Sequence, residues 1–203
     1  MNADEERLQV DLNSDSALEQ TIRGHLWIES ALIALIETTL LFPKHVDLAR
    51  FSFVQKLELA TAHGFVRPED LPAYKRLNRI RNQLAHSLHA ALSEQDMNDL
   101  INSLSPEIRK LYEQYHLDRV SETWQDRFGV AISLLYFRLE TERGRYETHR
   151  AAVATTNREM HDSIREIREH LQSSQSAREM WLSFGGSDHF IDSKHGDEKN
   201  SSQ

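Results

Sequence analysis

Between Leu18 and Leu41 apolar residues return at intervals of three and four, with Ile22, Leu26, Ile33, Ile36 and Leu40 on one stripe. That period predicts an amphipathic helix. Glu29 falls inside the stripe, which a plain core helix disfavours. Pro43 ends the run, because proline lacks the amide hydrogen and its ring clashes with a continuing helix. A second helical pattern covers FSFVQKLELATAHG, with Phe51, Val54, Leu57 and Leu59 apolar and Gly64 as its C-terminal stop. Pro68 and Pro72 bracket the entry to a third helix, which starts between Glu69 and Ala73 and runs to about His89. Ser93, with Gln95 and Asp96 beside it, reads as the N-cap of a helix ending near Leu104. Pro106 suits the first turn of a further short helix through Tyr115.

From Ser121 the period changes. Ile132, Leu139, Tyr146, Val153, Met160 and Ile167 recur every seventh residue, and Ile164 and Leu171 add the alternate seam position near the end. The remaining seam positions, Arg143, Arg150 and Asn157, are polar. The pattern predicts a long helix whose first part, Trp124 to Leu139, belongs to the core. Its distal part forms either a weak coiled coil, a face for a partner, or a solvent-projecting helix with a narrow stripe. Gly129 and Gly144 are weak points in it, each costing ~1 kcal/mol against alanine.

These elements make an all-α chain: a flexible acidic lead-in over 1–18, a helical bundle over 19–140, a long helix over 141–175 and a flexible tail over 176–203. Trp181, Phe184 and Phe190 are candidate anchors in the tail. Seven glycines and four prolines in 203 residues agree, since turn-rich β folds use more. The chain has no cysteine, which excludes disulfides and thiolate metal sites and fits a reducing cytosol. The start, MNADEERLQVDLNSDS, reverses the basic-then-apolar order of a signal peptide. The most apolar stretch, WIESALIALIETTLLF, is interrupted by Glu29 and Glu37 and falls short of a membrane span. A soluble cytoplasmic protein is expected. Net charge is −8, which argues against a general nucleic-acid coat protein but leaves room for a local basic site.

Such a site is found in the third helix. Each helical residue advances 100°, so Arg79, Asn82, His86 and His89 line one face, with Lys75 continuing it. Leu77, Ile80, Leu84 and Leu88 form the apolar face. Arg81 lies about 140° around from His86, so the two flank the apolar stripe. Lys75, Arg76, Arg79 and Arg81 concentrate positive charge in an acidic chain, as a phosphate site needs. The plain alternative is a solvated polar face.

Arg81, four intervening residues and His86, as RNQLAH, resemble the R-x(4–6)-H motif of the HEPN superfamily, with a polar residue directly after the arginine. RGHLWIESALIALI is similar to the first helix of a bacterial HEPN branch, and the likeness covers roughly residues 20 to 140. The resemblance implies a HEPN-like bundle and a metal-independent endoribonuclease, with no cofactor, whose composite site forms between two protomers of a homodimer. His86 would act as base on the ribose 2′-hydroxyl or as acid on the leaving 5′-oxygen, leaving a 2′,3′-cyclic phosphate and a 5′-hydroxyl. Arg81 would hold the scissile phosphate and stabilise its developing charge. Asn82 would bind a phosphate oxygen or orient His86, while Lys75, Arg76 and Arg79 would contact RNA. Glu29 either assists His86 or Arg81 across the helix pair, or neutralises a buried arginine.

Toxins or antiviral effectors of this kind are commonly paired with a nucleotidyltransferase-like antitoxin. A different class of function fits the same residues: a non-catalytic regulatory or interaction module, like the mannitol operon repressor proteins that resemble this fold. His86 and His89 have metal-ligand spacing, but no carboxylate completes the set locally. His25, His45 and His63 have no partner spacing that suggests chemistry. There is no Gly-rich phosphate loop and no zinc-protease helix.

Overall fold

The computed structural model describes residues 3–14, 16–86, 92–116 and 123–192, and among them it contains helices and no strand. In chain order these are α1 (Ala3–Leu12), α2 (Ala17–Thr39), α3 (Phe53–Ala62), α4 (Leu71–His86), α5 (Glu94–Asn102), α6 (Pro106–His116), α7 (Trp124–Ser173), α8 (Gln175–Ser183) and α9 (Asp188–Asp192). The chain divides into two compact units within α7, after Glu147. No described helix is long and apolar enough to cross a membrane.

Local chemistry sets the helix ends much as the sequence predicts. Ser16 caps α2 by accepting from the Glu19 amide. Ser52 and Gln55 form a reciprocal capping box on α3, and Ser93 and Asp96 form one on α5. Gly64, at φ +80°, carries the left-handed turn that stops the chain after α3. A short 3-10 turn over Pro68–Asp70 leads into α4. Leu88 and His89 lie outside the described residues.

Two expectations need correction in the first unit. The lead-in contains α1, and its Leu8 and Leu12 are buried in the core. The stripe of α2 is also rotated by about one residue from the expected one. Thr21, His25, Ile28, Leu32, Leu35 and Ile36 face the core, whereas Ile22 and Leu26 are exposed. The cause is that α2 is packed by α1, α3 and α4, so small and polar residues share its inner face.

Glycine permits the closest of these contacts. A Cβ on Gly24 would lie 2.6 Å from Ile132 Cγ2 and 3.1 Å from Leu12 Cδ2, so α1, α2 and α7 meet at that point. Gly129, expected as a weak point, faces Gln20 and the Leu12 carbonyl, where a Cβ would stand 2.8 Å and 3.1 Å from Gln20 Nε2 and Leu12 O. Buried Gln20 donates from Nε2 to the carbonyls of Leu12 at 2.5 Å and Gln125 at 3.0 Å.

α4 is anchored from both ends of its inner face. Tyr74, Leu77, Ile80 and Leu84 are buried. Asp70, at its entry, accepts from Arg138 Nε of α7 at 3.1 Å, and Arg138 also reaches Glu107 and Glu142. As expected, Phe128, Ile132, Leu135 and Leu139 of α7 complete this core.

The second unit contains the rest of α7 with α8 and α9. Val153, Met160 and Ile167 keep their sevenfold spacing and are exposed, while Leu171 is buried. The described part of the expected flexible tail carries two helices. Arg168 Nε and Gln172 Nε2 donate to the carbonyls of Phe190 and Ile191, Trp181 packs on Phe190, and Ile191 is buried.

Candidate nucleic-acid interface

The outer face of α4 and Val54 of α3 border an open groove of about 630 Å³. Three turns of α4 supply its wall. Lys75, Arg79 and His86 provide the basic side chains, and Asn78, Asn82 and Gln83 provide carboxamides. Among the described residues no carboxylate lines it. In a chain of net charge −8, this is a local surface suited to an anion bearing further hydrogen-bonding groups.

The structure brings together some of the predicted residues and separates others. Lys75, Arg79, Asn82 and His86 share the groove, and the side chains of Lys75, Arg79 and His86 are exposed. Arg81 is not part of the wall. Its half-buried guanidinium donates from Nη1 to Asn82 Oδ1 at 3.1 Å, so it is joined to the groove through Asn82. Arg76 is engaged elsewhere: Nη2 lies 3.1 Å from Asp96 and 2.6 Å from Asp99 of α5, which neutralise its charge. Glu29 meets a cation, but a lysine: buried Lys56 Nζ lies 2.5 Å from Glu29 Oε1.

Beneath the groove lies a polar cluster that the sequence reading missed. His25 is buried on α2, its ring tilted against Phe53 with 4.6 Å between centroids. Its Nε2 lies 3.1 Å from Asn78 Oδ1. The amide oxygen accepts only, so Nε2 carries the proton and donates. Glu29 Oε2 stands 3.8 Å from the opposite ring nitrogen. Burial holds the His25 pKa below its ordinary value, against the pull of Asn78 and Glu29, and the Arg81 and Lys56 charges push it the same way. The ring is therefore held neutral, and the cluster His25–Asn78 connects α2 to the groove wall.

One signal for this cluster was present: His25 and Glu29 are one helical turn apart, as are Asn78 and Asn82. No group of three or more histidine or acidic residues among the described residues is arranged to hold a metal ion. The partner in the His86–His89 pair lies outside them.

The groove can hold an extended polyanion by charge while carboxamides meet its acceptors and donors, and it places an exposed imidazole at one end. Comparison with known proteins finds no matching family model, no matching curated protein and no matching solved structure.

Proposed function

We propose that this chain is a metal-independent endoribonuclease of the HEPN type, acting as a homodimer. The observation that carries the reading is the groove on α4, basic, rich in amides and with no carboxylate among its described lining residues, with His86 at its end. Lys75 and Arg79 would hold backbone phosphates. His86, exposed to a substrate, would take the proton of the ribose 2′-hydroxyl or protonate the departing 5′-oxygen. Arg81 would stabilise the phosphorane charge. Because Arg81 stands outside the wall that contains His86, each site would pair the His86 of one protomer with the Arg81 of a second copy. Arg76 is assigned to the fold and not to RNA, given its two carboxylate partners. Toxin or antiviral action, an antitoxin of the nucleotidyltransferase type and a cytoplasmic site of action belong to this same proposal.

The test is incubation of purified protein with total RNA and tRNA in EDTA, beside Arg81→Ala and His86→Ala. Cleavage by the wild type that both substitutions abolish is expected. An inert wild type, or equal cleavage by the variants, refutes the assignment. One observation favours the second reading, a non-catalytic interaction module: Val153, Met160 and Ile167 are exposed along α7. That reading predicts an intact protein that binds a partner and leaves RNA uncut.

A further inference from the structure

A histidine in an apolar core is costly unless its polar atoms are met, and a phenylalanine or leucine would fill the same space without that cost. His25 is 3% exposed and stands near two cations, Lys56 and Arg81, which disfavour its charged form further. Its side chain hydrogen-bonds to Asn78, a residue of the groove wall. A carboxamide has two ends. The oxygen of Asn78 is turned to His25, and no acceptor among the described residues takes its nitrogen. The nitrogen is not buried, and Asn78 lines the groove.

We infer that His25 is a positioning residue for the groove: it fixes the side chain of Asn78 so that the amide nitrogen is presented to the ligand as a donor. This rests on the RNA reading above and extends it by naming what the groove asks of its ligand. Next to Lys75 and Arg79, the Asn78 donor meets a phosphate oxygen or a base carbonyl. Free rotation would present oxygen as often as nitrogen, and oxygen repels both acceptors. Lys56 holds Glu29 in an ion pair, which moderates the repulsion between that carboxylate and the unprotonated Nδ1 3.8 Å away.

The experiment combines His25→Phe, His25→Gln, Asn78→Ala and the double variant His25→Phe/Asn78→Ala. The probe is a mixed-sequence 2′-O-methyl RNA oligonucleotide, which lacks the attacking hydroxyl and reports binding alone. Phenylalanine keeps a ring against Phe53 and removes the donor. Glutamine restores a donor to Asn78. We expect Asn78→Ala to weaken binding about tenfold, the value of one hydrogen bond, and His25→Phe to weaken it about twofold, because a freely rotating amide offers its nitrogen half of the time. The double variant should be no weaker than Asn78→Ala, and His25→Gln should recover most of the loss of His25→Phe. The ¹H–¹⁵N side-chain amide signals of Asn78 should stand away from random-coil positions in the wild type and move toward them in His25→Phe.

Wild-type binding by His25→Phe when Asn78→Ala binds weakly, or losses that multiply in the double variant, overturns the inference. Unchanged Asn78 amide signals in His25→Phe overturn it whether or not RNA binds. A wild type that leaves the probe unbound refutes the RNA reading instead, and the amide signals then decide the positioning by themselves. If His25→Phe fails to fold, His25→Gln with the same amide signals as the wild type, against Asn78→Ala, decides the case.

Discussion

The buried hydroxyl of Tyr74 donates to the carbonyl of Leu135 at 2.9 Å, tying the helix that carries the groove to the helix that closes the core. Burial raises the phenol pKa strongly, so the group is a neutral donor at any physiological pH. Tyr74→Phe keeps the ring and deletes this bond. It should lower unfolding free energy by about 1 kcal/mol, measured by urea denaturation with an unchanged slope. An unaltered midpoint would mean that the bond contributes nothing.

The glycines of α2 and α7 should respond to alanine in opposite ways. In an open helix position the exchange gains up to about 1 kcal/mol. Gly144 has nothing within 4 Å of an added Cβ, so Gly144→Ala should show that gain. Gly24→Ala would press on Ile132 and Leu12 and should cost about 1–3 kcal/mol despite the better propensity. Melting temperatures of the two variants moving in the same direction would contradict the packing described at α1, α2 and α7.

Acid should weaken the fold through His25. The ordinary histidine pKa is 6.5, and burial lowers it in the folded state. Between the two values the unfolded chain binds more protons than the folded one, so stability rises with pH in that window. It should be full above about pH 7 and fall as pH drops below 6.5 toward the folded value. The charged neighbours are Glu29, Lys56 and Arg81, so Glu29→Gln should move the folded pKa lower still. Denaturation midpoints taken from pH 5 to 8 test this, and His25→Phe should flatten that limb. An equally steep limb in His25→Phe would assign it to another group.

A composite site makes a quantitative demand. When Arg81→Ala and His86→Ala proteins are mixed and allowed to exchange subunits, half of the dimers are hybrids, and each hybrid holds one complete Arg–His pair. About a quarter of wild-type cleavage should return. No recovery after verified exchange would count against a site shared between protomers.

The salt dependence of RNA binding follows from the two exposed cations on the wall. Each phosphate neutralised on a single strand contributes a slope of about −0.7 to the logarithmic salt plot. Lys75→Gln and Arg79→Gln should each make the slope shallower by roughly that amount, whereas Arg76→Gln should leave it unchanged. A slope that responds to Arg76 and ignores Arg79 would move the phosphate track to another face.

How much of this could be read from the chain depends on the range of the interaction. Pro43, Ser93 and Pro106 act within a turn of themselves, and the helix boundaries they imply are the observed ones to within a few residues. The face holding Lys75, Arg79, Asn82 and His86 follows from the 3.6-residue period alone. The phase of α2 does not, because apolar residues surround that helix and the choice among them is made by α1, α3 and α4. Leu8 and Leu12 were hidden by the acidic residues around them. His25 finds Asn78 across 53 positions, and Arg76 finds Asp99 across 23, distances at which periodicity is silent. The composition of the groove was therefore legible, and the histidine that orients it was not.

Gln20 has a consequence for how the first unit opens. One carboxamide bridges the carbonyl that ends α1 and a carbonyl at the start of α7, with Gly129 making room for it. Removing α1 would strip one acceptor from a buried donor and uncover Leu8 and Leu12's partners at the same time. The amide hydrogens of α1 beyond its first turn should therefore exchange late, in the same cooperative step as α2, and a protease should find no early cut in α1. The acidic opening of the chain is a clasp on the bundle that carries the groove.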